Sequence, residues 1–207
     1  MKQLTKITAV AAAILIMASP TAFAATASSA PISISAVVSG ALTITVDLFK
    51  NSVSAGNDIP DTAMNFGTLN NDLGTGNLRS TTTGSTGTGS VVALISANSS
   101  GLPYTITQNS PVALTSGANT LPAGATTVVP VYSPFDNGGQ ALVGSVGAAG
   151  SWVGTRTLYT SNAVGATRVI QAHYSVTDDP AAGATAVVPL NQAAGTYSGT
   201  VTFTVTA

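Results

Sequence analysis

The stretch Ile32-Ser33-Ile34-Ser35-Ala36-Val37-Val38-Ser39-Gly40-Ala41-Leu42-Thr43-Ile44-Thr45-Val46-Asp47-Leu48-Phe49 is written in a period of two. Every second residue from Ile32 to Leu48 is apolar or small, and Ser33, Ser35, Ser39, Thr43, Thr45 and Asp47 lie between them. That alternation predicts a strand with one buried and one wet face. Residues 32–48 at ~3.3 Å each span roughly 56 Å. A folded chain of this length has a radius of gyration of only about 16 Å. Two readings follow. The strand bends and changes sheets near Ser39-Gly40, as sandwich corners do. Or its first half leaves the domain and pairs with something else, which makes the chain a fibre subunit.

Upstream, Lys2 and Lys6 precede an apolar run, Ile7 to Met17, then Pro20 and the small-residue site Ala22-Phe23-Ala24. This pattern predicts a secretory signal peptide over residues 1–24. The run is short for a membrane span, and no other stretch reaches the ~20 apolar residues a spanning helix needs. No lipidation Cys follows the signal. The expectation is a secreted or cell-surface chain without membrane insertion. It carries an N-terminal extension at 25–40 and a single β-sandwich domain at 41–207.

Composition narrows the class. Past residue 24 there are four cations (Lys50, Arg79, Arg156, Arg168) against seven aspartates and no Glu, a net charge of −3. Four scattered cations give no footprint for nucleic acid or anionic lipid. Solubility must rest on Ser, Thr, Asn and Gly. There is no Cys, so no disulfide staples the fold even where export would permit one. Helix formers are scarce and Thr, Val, Ser and Gly dominate, which favours an all-β fold.

The pattern then predicts a polar loop over 50–63 and an aromatic anchor at Asn65-Phe66-Gly67. A weak strand over 78–83 and a central strand over Val91–Ala97 follow. A return strand through Tyr104 and Ile106 forms a hairpin with it, and further strands lie at 112–114, 126–132, 151–160, 166–177 and 185–190. Pro130 places its strand at an edge or ends its pairing. In 166–177, Ile170, Ala172, Tyr174 and Val176 share one face, with Gln171, His173 and Ser175 on the other. The last segment, Gly195-Thr196-Tyr197-Ser198-Gly199-Thr200-Val201-Thr202-Phe203-Thr204-Val205-Thr206-Ala207, alternates most cleanly. Tyr197, Val201, Phe203 and Val205 share its apolar face. Many short strands between turns point to an immunoglobulin-like β-sandwich.

That ending resembles the C-terminal strand of chaperone–usher-type pilins and of spore-coat-U-like secreted subunits, through Gly195-Thr196-Tyr197 and the alternation up to Val205. The resemblance covers the two ends of the chain. It implies an incomplete sandwich, completed when a neighbouring subunit donates an alternating N-terminal strand. Ile32, Ile34, Ala36 and Val38 match that donor, and Tyr197, Val201, Phe203 and Val205 match the acceptor groove. The implied partners are other copies of the chain in a homopolymer, with a periplasmic chaperone and an usher for assembly. The chain lacks the disulfide many such pilins carry, and has Thr206 where many have an aromatic residue.

Chemistry has little support. His173 is the sole His; on a strand's polar face it reads as solvent-facing or as a hydrogen-bonded structural residue. With no Cys, no Glu and no nucleophile motif, a triad has no basis. Asp178-Asp179 and Asn70-Asn71-Asp72 lack EF-hand spacing and read as turn formers rather than Ca²⁺ ligands. Asn98-Ser99-Ser100 is a glycosylation triplet. Lys50 is the one Lys past the signal, and an isopeptide bond to an Asn would have only an Asp as its acid. Trp152 and Tyr159 read as core before they read as a sugar-stacking surface. The sequence thus predicts no enzyme, no catalytic residue, no cofactor and no metal. A filament subunit is the first reading, and a self-contained secreted sandwich binding a glycan or matrix ligand is the alternative.

Overall fold

A computed structural model describes residues 42–50, 59–80, 90–133, 144–165 and 168–207. These all belong to a unit spanning Ser39–Ala207. Among the described residues the strands are β1 (Thr43–Phe49), β2 (Pro60–Asp61), β3 (Leu69–Asp72), β4 (Asn77–Ser80), β5 (Ser90–Asn98), β6 (Thr105–Ser110), β7 (Thr115–Ser116), β8 (Asn119–Thr120), β9 (Thr126–Tyr132), β10 (Ser145–Val146), β11 (Gly150–Ser151), β12 (Gly154–Thr160), β13 (Arg168–Val176), β14 (Val188–Pro189) and β15 (Thr202–Thr206). The only helical elements among them are two 3₁₀ turns, Ala123–Ala125 and Pro180–Ala182. The chain is all-β.

Two antiparallel sheets form the sandwich. The six-stranded sheet runs β11-β9-β13-β5-β1-β2 and the four-stranded sheet runs β10-β12-β6-β15. A small sheet, β14-β4-β3, and the hairpin β7-β8 complete the fold. Between the sheets lie Ala93, Ile95 and Ala97 of β5, Ile170, Ala172 and Tyr174 of β13, Ile106 of β6, and Leu158 and Tyr159 of β12, all almost fully buried. The expected inward face of β13 is the observed one.

The central strand was legible. β5 pairs with β13 on one side and β1 on the other, and Val91, Val92 and Ala93 are all buried. An apolar run without alternation belongs in that position. The hairpin with the next strand is not formed. β6 lies in the other sheet, between β12 and β15. The turn at Asn98–Gly101 therefore crosses between sheets. The Ser99 hydroxyl anchors it, donating to the carbonyls of Leu102 and Gly165. Gly165 has φ +59, and a Cβ there would lie 1.9 Å from the Leu102 carbonyl oxygen, so the crossing needs glycine.

Other boundaries shift. The strand expected at 112–114 is displaced to β7, and the C-terminal alternation is longer than its ladder, which covers Thr202–Thr206 alone. Pro130 sits on β9 beyond the two residues that β11 covers, so its missing N–H faces no ladder partner among the described residues.

Candidate binding furrow between the first and last strands

β1 pairs with β5 along its whole length, but on its other side only Leu48 and Phe49 meet β2. The outer edge of Thr43–Asp47 has no strand partner among the described residues. β15 pairs with β6 and, among the described residues, with nothing on its other edge. These two edges approach each other from opposite sheets. Between them and the loop before β3 lies a cavity of about 1070 Å³.

Its walls are largely apolar, with Asn65, Thr68, Gln192, Thr196, Ser198 and Thr200 among the polar residues that also line it. Val46 and Leu48 come from β1, Val201 and Phe203 from the C-terminal segment, and Met64, Phe66, Leu69 and Leu78 from the far side. Leu114, Leu121, Trp152 and Val176 also line it. A chain of ring contacts stiffens it: Phe66 to Trp152 at 5.0 Å, Trp152 to Tyr174 at 5.3 Å, and Tyr174 edge-on to Phe203 at 6.2 Å. Such pairs contribute ~0.5–1.5 kcal/mol each beyond area burial.

Behind this wall runs a buried polar spine. The Tyr174 hydroxyl donates to Gln108 Oε1 at 2.9 Å, and Gln108 Nε2 donates to the Trp152 carbonyl at 2.6 Å. Both Tyr174 and Gln108 are 0% exposed. Burial pushes the Tyr174 phenol far above its ordinary value, so it stays a donor.

The rim is tied down. Thr115 and Ser198 exchange two backbone hydrogen bonds of 2.9 Å. The Tyr197 hydroxyl donates to the Ala193 carbonyl and accepts from Gln192 Nε2, both at 2.7 Å. A Cβ on Gly195 would come 2.4 Å from the Ser116 hydroxyl, so rim and hairpin meet closely there.

Of the expected acceptor residues, Tyr197, Val201 and Phe203 line the furrow. Val205 is half-buried against the core on the same strand face, but is not among the lining residues. Ile32, Ile34, Ala36 and Val38, expected as the donor, lie outside the described residues. Sequence reading missed the far wall, Met64, Phe66, Leu69 and Leu78. Phe66 was visible as an anchor, but no local pattern says that it meets Trp152.

The remaining candidates fall into structural roles. His173 is 2% exposed, so the solvent-facing reading is corrected. Its Nε2 lies 3.1 Å from Gln171 Oε1, and its Nδ1 is buried without a hydrogen-bond partner. Desolvation lowers its pKa to about 4. Trp152 and Tyr159 are at most 1% exposed and offer no sugar platform. Asp179 caps a 3₁₀ turn by accepting from the Ala181 amide. A hydrogen bond from the Thr75 side chain, and then the one Asp178 accepts from Asn77 Nδ2, hold its carboxyl below the usual range. Asp72 caps its own turn and pairs with Arg79 at 3.0 Å. Lys50 lies 3.8 Å from Asp61, an ion pair with an aspartate rather than an asparagine neighbour. The Asn98 side chain accepts from the Ser100 amide in an Asx turn. No cluster of three or more metal-ligating side chains occurs among the described residues.

Comparison with family models, with curated proteins and with solved structures finds no match to this chain.

Proposed function

We propose that this chain is the structural subunit of an extracellular filament, polymerised head-to-tail by a strand donated from one copy into the furrow of the next. The observation that carries the reading is the furrow. It is largely apolar, with polar groups on its rim, and it lies between two strand edges that have open hydrogen-bonding groups among the described residues. An open edge beside exposed apolar surface invites strand addition. A strand with apolar side chains at every second position fits it, and Ile32, Ile34, Ala36 and Val38 supply such a pattern, three of them large. Burying three such side chains contributes about 5–9 kcal/mol before ordering costs, at ~1.5–3 kcal/mol each. The contact joins two different surfaces of identical copies, so it propagates instead of closing. On this reading the protein works mechanically, and the 1–24 signal delivers it to the cell surface.

The test is a comparison of the wild-type chain with Ile34→Asp by electron microscopy and size-exclusion chromatography. Wild type should form filaments, and Ile34→Asp should remain a folded monomer with an unchanged melting temperature. Normal polymerisation of Ile34→Asp refutes strand donation through this segment. A wild-type chain that stays monomeric favours the self-contained sandwich instead.

A further inference from the structure

Exposed apolar side chains gather at the two ends of the sandwich. Leu42, Leu102 and Val164 are 40%, 58% and 66% exposed, and all three lie at one end. β1 begins opposite Asn98, so Leu42 stands beside the turn at 98–101. Leu102 leaves that turn, and Gly165, next to Val164, packs on it: the Ser99 hydroxyl donates to the carbonyls of both Leu102 and Gly165. The other exposed large apolar residues among those described lie at the far end. Ile59 precedes β2, whose Pro60 pairs with Phe49 at the finish of β1. Val112 follows Ser110, the last residue of β6. Leu73 sits in the β3–β4 turn, where Asn77 reaches Asp178 beyond the last residue of β13. Val187 and Leu190 flank β14, which pairs with β4.

The furrow belongs to the far end. Val46 and Leu48 line it but Ile44 does not, and Val201 and Phe203 line it but Val205 does not. Ile44 and Val205 pack against the core nearer Leu42. A donated strand therefore enters from the far end. Only Ser39, Gly40 and Ala41 separate Val38, the last donor position, from Leu42. A four-residue step spans at most about 14 Å. A donor seated in the furrow thus holds its own Leu42 end within that reach of the acceptor's far end. Charge favours this pairing of unlike ends. The far end bears Asp61, Asp72, Asp178 and Asp179 against Lys50 and Arg79, whereas none of the described aspartates lies at the Leu42 end. Two far ends repel each other, and a far end and a Leu42 end do not.

We propose that Leu42, Leu102 and Val164 form a second contact along the filament, seated on the far end of the next copy beside Val112 and Leu190. This rests on the filament reading and adds to it a partner surface outside the furrow. Val112 and Leu190 suit the role because each lies two residues from a furrow-lining residue, Leu114 and Gln192. A few side chains on each side make a contact smaller than the ~800 Å² per partner that free proteins need. It does not have to hold alone. The donated strand already joins the two bodies, so this contact closes as an intramolecular step, at an effective concentration on the order of millimolar. Burying the exposed side chains then stiffens the joint and slows release of the strand. The contact is heterologous, as the strand exchange is, so both propagate together.

The test uses the full-length chain, whose lack of cysteine lets single thiols be read. Leu102→Cys, Leu190→Cys and a control, Thr157→Cys, exposed on the four-stranded sheet, are each assembled into filaments and labelled with a soluble maleimide. Each is compared with the same cysteine in an Ile34→Asp monomer. Leu102→Cys and Leu190→Cys should label roughly tenfold or more slowly in filaments, and Thr157→Cys at one rate in both. Separately, Leu102→Asp/Val164→Asp should still assemble, but should lose subunits on dilution roughly tenfold or more faster than wild type. Added to the Ile34→Asp monomer, the pair should leave the melting temperature unchanged. Labelling of Leu102→Cys in filaments at the monomer rate overturns the proposal, as does subunit loss from the aspartate variant at the wild-type rate. So does protection of Leu102→Cys already in the monomer, which makes the chain's own N-terminal segment the cover. In each of these results filaments still form, so strand donation stands. If wild type forms no filaments, strand donation itself fails and this contact falls with it.

Discussion

The middle of the six-stranded sheet and its β1 flank are made from the same kinds of residue, yet they end in different states. β5 and β13 are paired on both sides, and their inward Ile95, Ile170 and Tyr174 are 0% exposed. β15 is paired along one side, β1 along one side and at Leu48 and Phe49 on the other, and their inward Ile44, Val46, Leu48, Phe203 and Val205 remain half-buried. Side-chain chemistry does not separate β13 from β1 and β15, since all three alternate apolar with polar; of the four strands, only β5 is an apolar run. What separates them is the number of neighbours each strand finds within the described residues. The flank thus has the composition of a core without the enclosure of one, and the proposed function is what would complete it.

Mutations should report that difference in order of size. The largest loss belongs in the middle: Ile170→Ala should cost about 2–5 kcal/mol by urea denaturation, because the site cannot collapse around the lost volume. Acid should act on the same strand. The lowered pKa of His173 means that the unfolded chain takes up a proton near pH 6.5 while the folded chain resists until about pH 4. Stability is therefore full above pH 6.5, falls by up to about 3 kcal/mol on acidification to pH 4, and levels off below that. In His173→Gln that part of the slope should vanish; an unchanged slope removes His173 as its source.

Tyr174→Phe, where the two regions meet, leaves Gln108 Oε1 buried without its donor and should cost ~1–3 kcal/mol. At the flank, Val46→Ala in the isolated subunit should cost about 0.5–1 kcal/mol, less than a fully buried valine would. The same substitution should weaken polymerisation more than it weakens the fold. A Val46→Ala penalty as large as that of Ile170→Ala would erase the distinction between closed middle and open flank.

The sequence carried the middle better than the flank for a physical reason. Period and apolar content are local, so β5, β9 and β13 could be read with little error, and so could the inward set Ile170, Ala172, Tyr174 and Val176. Sheet membership is not local. Asn98-Ser99-Ser100-Gly101 announces a turn, but nothing in it says whether it closes a hairpin or crosses the sandwich, and the crossing it makes packs against Gly165, far along the chain. The furrow divides in the same way. Val201 and Phe203 were legible because they alternate, whereas Met64 and Phe66 were not, because only the fold brings their loop against Trp152. Polar position misled at His173, since alternation says which face a residue takes and not whether that face is covered.

The central claim is that another copy fills the furrow, and the absence of cysteine allows it to be read directly. Two full-length chains, one Ile34→Cys and the other Val201→Cys, are mixed, assembled and oxidised, then run on a non-reducing gel. The account predicts a disulfide-linked heterodimer of the two chains, and a ladder when both cysteines are placed in one chain. Absence of the heterodimer, with the doubly substituted chain closing a disulfide within itself as a monomer, would contradict it.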